Sequence, residues 1–304
     1  MESVKKLKIG IIGAGRIGKF HVREFLKLGT YVLSILEPNS MLAKRAEAQI
    51  REKHKINVMS YVELNRFLGE HPPDAVSIAT PPKNHAYYIE KCLETGKHVF
   101  VEKPLSVSPD AYLTAKKLLI LAREKKLILT VNTQWPCVFP LIESQLPSLN
   151  KVREFYMYME PGVRGLGMLV EHLPHLNSLL VKLISKGKAK NISFSKKEEE
   201  HIIIEFDYVT EKTKCKVKYE LKYRENRPRA VIFSINGKKF ERKILEGYKQ
   251  KLITPDKIID LEDPFTVSIR HFVQAIQEKR KPLICEQEIL DNAKLQDSIL
   301  EKWN

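Results

Sequence analysis

Through the first 130 residues, short runs of β-branched and apolar positions alternate with stretches of helical spacing. Lys8 to Ile12, Tyr31 to Leu36, Asn57 to Met59, Asp74 to Ala79, His98 to Val101 and Ile128 to Val131 read as strands. Strands separated by helical patterns build βαβ units and a parallel sheet. Local punctuation agrees. Ser60 and Glu63 have the form of a capping box, Gly96 stops the helix that follows Asn84, and Ser108-Pro109 reads as an N-cap followed by proline at the first helical position.

Beyond Pro136 the period changes to two. Ile202, Ile204, Phe206 and Tyr208 alternate with polar residues. Cys215, Val217, Tyr219 and Leu221 stand opposite Lys214, Lys216, Lys218 and Lys222. That pattern predicts a large, mostly antiparallel open sheet with one solvated face. Helical spacing returns over Phe265 to Glu278 and Glu286 to Trp303. The chain thus reads as an α/β domain over 1–131 and an α+β domain over 132–304, with the C-terminal helices packing back on the first. No internal repeat or low-complexity linker interrupts it, so the boundary reads as a hinge.

The first strand leads directly into Gly13-Ala14-Gly15-Arg16-Ile17-Gly18, which opens a helix reaching about Leu28. This is the G-x-G-x-x-G fingerprint of a doubly wound Rossmann sheet. The first glycine permits the tight turn, the second lets a pyrophosphate approach the backbone, and the third lets helix and strand pack closely. The free N–H groups of the helix start attract the phosphate charge. Glu37 ends the second strand 19 residues after Gly18, where a carboxylate accepts both adenine-ribose hydroxyls. It repels a 2′-phosphate and favours NAD over NADP, with Lys44 and Arg45 as the opposing signal.

The formal charge of +15 raises nucleic acid as a partner. Residues 1–150 carry 22 Lys+Arg against 14 Asp+Glu, so the excess is spread over both halves and no basic tail or helix stands out. We expect neither nucleic acid nor membrane as a partner. The apolar stretch behind Lys5, Lys6 and Lys8 is too short for a signal peptide, and no apolar run approaches the roughly 18 residues of a membrane helix. Cys92, Cys137, Cys215 and Cys285 lie far apart, without zinc-ligand spacing, and read as reduced thiols of a cytoplasmic protein.

The fourth strand ends in Ala79-Thr80-Pro81-Pro82 with His85 three residues on, and the fifth in Val101-Glu102-Lys103-Pro104. Downstream, a glycine-rich entry, Gly165-Leu166-Gly167, precedes Glu171-His172-Leu173-Pro174-His175. Together with the fingerprint, these motifs resemble the glucose-fructose oxidoreductase, inositol dehydrogenase and rhizopine-catabolism (Gfo/Idh/MocA) family over most of the chain. Glu-Lys-Pro after the fifth strand is the most specific of them.

The resemblance implies an NAD(P)-dependent dehydrogenase or reductase acting on a CH–OH group of a sugar, polyol or nucleotide sugar, assembled as a homodimer or homotetramer and needing no metal. It places Gly13, Gly15, Arg16, Ile17, Gly18, Glu37, Thr80, Pro81, His85, Glu102 and Lys103 around the cofactor. Lys103 and His175 become the proton-transfer groups, supported by Glu171, and Lys103, Trp135, His172 and His175 meet the substrate. A lysine beside the cationic nicotinamide, and partly desolvated, loses basicity and becomes usable as a base. Residues four apart on a helix share a face, so Glu171 can orient His175.

The chain departs from the family pattern in places. Glu171 stands where the family usually has aspartate, and Asn132-Thr133-Gln134-Trp135 replaces a frequent basic residue after the sixth strand. The stretch from Val152 to Gly165 is short. Trp135 offers either a face for a sugar ring or a core side chain. Two other readings stay open: a nucleotide-sensing or scaffolding protein without turnover, and a reductase of a tetrapyrrole or imine on the same scaffold.

Overall fold

The computed structural model describes residues 6–107 and 109–303, and the Ser108 cap lies outside the described residues. The chain divides into two compact units. One comprises the described residues of 1–106, 113–132 and 268–286; the other those of 107–112, 133–267 and 287–304.

The first unit is a six-stranded, wholly parallel sheet of β1 (Lys8–Ile12), β2 (Tyr31–Leu36), β3 (Met59–Tyr61), β4 (Ala75–Ile78), β5 (His98–Val101) and β6 (Leu129–Val131), in the order β3-β2-β1-β4-β5-β6. The order reverses between β1 and β4. In doubly wound sheets the ligand crevice opens there, at the carboxyl ends of the strands. Helices α1 (Arg16–Lys27), α2 (Ser40–His54), α3 (Leu64–Gly69), α4 (His85–Glu94) and α5 (Ala111–Glu124) connect the strands. Ile9, Ile11, Val32, Ile35, Val76, Val99 and Phe100 are fully buried. Such continuous burial is what a parallel sheet covered on both faces demands.

The third strand lies two residues later than its pattern predicts, and this displaces the expected capping box. Ser60 sits inside β3, with its amide (2.8 Å) and its hydroxyl both donating to Glu47 of α2. With Ser60 occupied, α3 begins only at Leu64, and Glu63 takes the N-cap position without a side-chain bond. The competing partner came from a neighbouring helix and was invisible to local spacing. Gly96 does end α4, at φ +77°, its amide bonding Leu93 O at 3.0 Å.

The second unit is built on an eight-stranded sheet: β7 (Glu154–Met159), β8 (Lys188–Lys197), β9 (His201–Val209), β10 (Lys214–Lys222), β11 (Val231–Ile235), β12 (Lys238–Ile244), β13 (Gln250–Ile253) and β14 (Ile258–Leu261), ordered β14-β13-β12-β11-β7-β10-β9-β8. All pairs are antiparallel except β7 with β10. The alternation falls as the sequence predicts: Ile202, Ile204, Phe206, Tyr208, Cys215, Val217, Tyr219 and Leu221 are buried. The opposite face carries charged cross-strand contacts such as Lys214 with Asp207 and His201 with Glu220.

A short helix, α6 (Phe139–Ile142), follows the tight 3-10 turn Trp135–Val138, and that turn packs on α7 (Leu166–Ile184). The last helices are α8 (Pro264–Gln277) and α9 (Glu286–Leu300). In the first unit, Phe272 of α8 packs on Phe25 and Phe100. In the second, α9 is tied to α7 by Lys182 to Glu288 at 2.7 Å and by Asn292 Nδ2 donating to Pro174 O at 2.8 Å. No helix among the described residues is long and apolar enough to cross a membrane.

Candidate cofactor and catalytic site

The glycine turn after β1 is shaped by close backbone approach. Gly13, at φ +98°, brings its α-carbon so near Ala79 that an added Cβ would lie 2.6 Å from the Ala79 carbonyl oxygen. At Gly18 an added Cβ would lie 1.8 Å from Gly13 O. Around Gly15, by contrast, a Cβ would meet nothing within 4 Å. The turn is therefore packed on two sides and open on the third, where α1 begins with Gly15 as an N-cap that lacks a side-chain bond. The first-turn amides of α1 face this opening with Arg16 and Ile17 exposed beside them, an arrangement suited to a pyrophosphate.

Glu37 follows β2, with its amide fixed by Tyr61 O at 2.9 Å. Its carboxylate is half-buried. Oε2 lies 3.4 Å from Ala14 N and Oε1 3.3 Å from Asn39 N, both long contacts that leave it able to accept hydroxyl donors. Asn39 in turn caps α2 by accepting from Met41 N and Leu42 N, each at 3.1 Å. The glycine cradle and the adjacent carboxylate fit a dinucleotide.

At the ends of β4 and β5, His85 is fully buried. Its Nδ1 lies 2.7 Å from Pro104 O and its Nε2 2.8 Å from Thr80 O, so it pins the loop carrying Thr80 and Pro81 to the loop carrying Lys103. Both partners are carbonyls, which only accept, whereas a neutral ring has one N–H. Burial nevertheless holds the ring below its ordinary pKa against the pull of the two carbonyls. The Thr80 hydroxyl is buried without a partner among the described residues.

Beside this loop lies a buried network that sequence reasoning missed. Glu102 Oε1 accepts from His21 Nε2 at 3.0 Å and from Asn132 Nδ2 at 2.6 Å, and His21 Nδ1 meets Ser77 Oγ at 2.6 Å. The carboxylate only accepts, so Nε2 carries the proton and Nδ1 can accept from the Ser77 hydroxyl. Burial alone would raise the Glu102 carboxyl pKa. The bond and charge of His21, the Asn132 bond and the charge of Lys103 outweigh it and hold the carboxyl below its ordinary range. The fingerprint helix is thereby joined to the ends of β4, β5 and β6. A signal existed: His21 falls on the buried stripe of Gly18, Val22 and Phe25 in α1, where a histidine needs polar partners.

Lys103, half-buried, belongs to the first unit; Trp135, Glu171, His172 and His175 belong to the second. Pro174 sits inside α7, yet the helix runs unbroken from Leu166 to Ile184. Glu171 and His175 thus stand one turn apart on it, with the rings of His172 and His175 in an edge contact at 6.4 Å. Glu171 and His172 are half-buried, and His175 is buried. Trp135 resolves as core: it is 2% exposed, set edge-on to Phe233 at 6.4 Å, with the Arg242 guanidinium 5.4 Å from its ring centroid. Those neighbours occupy the space a stacked sugar would need. Among the described residues no group of three or more His, Cys, Asp or Glu is placed to hold a metal ion.

The depressed histidines carry a stability prediction. Burial lowers the pKa of His85 and of His98, and His98 Nδ1 accepts the Ile128 amide at 2.9 Å, a bond that protonation destroys. Below about pH 6.5 the unfolded chain binds more protons than the native one, so stability falls with pH through that window. We expect Tm to decline steadily from pH 7.5 to 5.5. His98→Gln, which keeps an acceptor for Ile128, should flatten the decline; an unchanged slope would refute the assignment to His98.

The fold and the glycine cradle define a nucleotide-binding α/β protein of the doubly wound class. Residues 7–133 match the model of the Gfo/Idh/MocA group, described as an oxidoreductase family with an NAD-binding Rossmann fold. The chain is 26% identical over 126 residues to UDP-N-acetylglucosamine 3-dehydrogenase of Acidithiobacillus ferrooxidans, an alignment covering 41% of this chain and 36% of that protein. The chain thus matches only about a third of that relative's length.

Among solved structures, a UDP-N-acetylglucosamine 3-dehydrogenase of the same organism superposes with TM-score 0.76 at 16% identity, covering 97% of this chain and 96% of that one. The scyllo-inositol dehydrogenase of Lactobacillus casei with bound NAD(H) and scyllo-inositol gives TM-score 0.75 at 14% identity, covering 98% and 97%. At such identities these likenesses establish the fold.

Proposed function

We propose that the chain is an NAD-dependent dehydrogenase or reductase of a hydroxyl or keto carbon in a sugar, polyol or nucleotide sugar. Residues 1–131 bind the cofactor, and 132–304 bind the substrate and form the oligomer, a homodimer or homotetramer in the cytoplasm. The observation that carries this reading is the cradle of Gly13, Gly15 and Gly18, with Glu37 at the end of the neighbouring strand. The Arg16 and Ile17 amides of α1 hold the pyrophosphate, Glu37 the adenine ribose, and Thr80, Pro81, His85 and Glu102 the nicotinamide side.

The bound nicotinamide supplies the hydride acceptor or donor. Lys103 and His175 move the hydroxyl proton, and Glu171 orients His175. Retention of lysine and histidine at these positions favours turnover over a purely sensing role.

Titration with NADH and NADPH, followed by nicotinamide fluorescence and then by addition of pooled sugars, polyols and nucleotide sugars, tests the reading. Binding of NADH with turnover on one pool supports it, and binding of neither cofactor overturns it. Glu37→Ser removes the charge that repels a 2′-phosphate and should narrow the NADH preference by about tenfold, roughly 1.4 kcal/mol. An unchanged preference would remove Glu37 from the ribose site.

A further inference from the structure

Among the described residues the Arg242 guanidinium has no partner at ion-pair distance. Arg242 lies two residues after the buried Phe240 on β12 and so shares the core-facing side of the sheet. Of its five N–H donors one is used, Nη2 to Arg229 O at 2.8 Å, while Nε is buried with no partner. Among the described residues no carboxylate stands within the 4.0 Å of an ion pair with it.

The groups around Arg242 do not supply what it lacks. Arg227, which donates to Tyr248 Oη at 2.7 Å, adds a second positive charge. Asp263 acts on Arg242 only at longer range, and its Oδ1 already accepts the Phe265 amide at 3.0 Å, close to the start of α8. Arg229 spends its own guanidinium on the carbonyls of Arg224 and Glu225. The guanidinium carbon of Arg242 lies 5.4 Å from the Trp135 ring centroid, within cation–π range.

Arg242 is half-buried, with its Nε out of reach of water; a guanidinium cannot shed its proton, and a desolvated donor without an acceptor is costly. Burial indeed lowers its pKa first and foremost. Such a group is stabilised by an anion from outside, and its planar fork fits the two oxygens of a carboxylate or phosphate.

We propose that Arg242, steadied on Trp135 and flanked by Arg227, recognises a carboxylate or phosphate of the substrate, so that the substrate is an acidic sugar derivative rather than a neutral polyol. This rests on the dehydrogenase reading. The turn that carries Trp135 packs on α7, the helix of Glu171, His172 and His175, so anion recognition and those groups belong to the same unit. The sequence holds two tryptophans, Trp135 and Trp303, and Trp135 can report on the site by itself.

In a Trp303→Phe background, which keeps a ring beside Phe194 and Lys196, the emission of Trp135 is followed during titration with inorganic phosphate and, separately, acetate, each against sodium chloride at equal ionic strength. We expect a saturable change with at least one of them. The responding anion tells a phosphorylated substrate from a carboxylated one. Arg242→Gln should abolish the change. Arg242→Lys, which keeps the charge but loses the fork, should weaken it about tenfold and serves if the glutamine variant fails to fold by circular dichroism.

With acidic substrates, Arg242→Gln should raise KM about 10- to 100-fold, the range for a lost hydrogen bond to a charged group. No response of Trp135 to either anion beyond that of chloride, or an equal response in Arg242→Gln and Arg242→Lys, overturns the proposal. NADH titration of the same proteins keeps the two readings apart: wild type that binds NADH but ignores both anions sinks the anion site alone, and wild type that binds no NADH sinks the dehydrogenase reading.

Discussion

Gly15→Ala is expected to cost the protein its cofactor and little of its stability, whereas Gly18→Ala costs both. The contrast follows from where each new methyl goes. At Gly18 the Cβ would lie 1.8 Å from Gly13 O and 3.0 Å from Gly13 C. Both atoms are backbone, so no rotamer change can relieve the clash and α1 must retreat from β1. Overpacking of this kind costs about 1–3 kcal/mol. For a chain of this size that lowers Tm by roughly 2–4 °C per kcal/mol.

At Gly15 the methyl meets nothing within 4 Å, and Tm should stay within about a degree of wild type. Yet the same open space is where a pyrophosphate must approach the helix amides, and NADH affinity should fall by about 100-fold, near 2.7 kcal/mol. Differential scanning calorimetry alongside NADH fluorescence titration reads both quantities. If Gly15→Ala binds NADH as tightly as wild type, the phosphates do not lie on that side of the turn.

Lys103→Ala should leave NADH affinity within about threefold and reduce turnover by about 10²- to 10⁴-fold, the range for loss of a positioned proton-transfer group. Lys103 stands between two anchored residues. Glu102 is held by His21 and Asn132, and Pro104 O by His85. The backbone that carries the amine therefore has support on both sides, and removing the side chain need not disturb the loop. Single-turnover kinetics on the substrate found in the pooled screen, with NADH titration of the same variant, separates chemistry from binding. Turnover at the wild-type rate would take the proton-transfer role away from Lys103.

Turnover of the anchoring variant Glu102→Gln is informative beside it. The amide can still accept from His21 but brings no charge, and the pH profile of kcat should move if the network acts through Lys103. A merely structural network would change Tm and leave that profile in place.

Much of the fold could be read from local pattern. β1, β2 and β5 begin and end where the alternation of apolar runs puts them. The period-two lysine face of β10 lies opposite a buried row of Cys215, Val217, Tyr219 and Leu221. Three errors or omissions share one cause. Ser60 is in a strand because Glu47, thirteen residues earlier, takes its donors. His21 is functional-looking only once Ser77 and Glu102, 56 and 81 residues away, close around it. Trp135 is core because Phe233 and Arg242, about a hundred residues on, cover it.

Features that depend on neighbours along the chain are legible in local pattern: the glycine turn, whose spacing is dictated by backbone sterics; the acidic residue at the end of the second strand; and the two periods that separate a parallel sheet buried on both faces from an open one with a solvated side. Which polar groups are satisfied emerges from the folded arrangement alone. Whether a buried histidine finds a carboxylate, or a half-buried arginine is left without one within ion-pair distance, depends on groups brought together from distant segments, and hydrogen bonds and charge pairs act over a few ångströms of space irrespective of separation along the chain. That is why Glu37 was visible before folding, and the His21–Glu102 pair and the surroundings of Arg242 only after it.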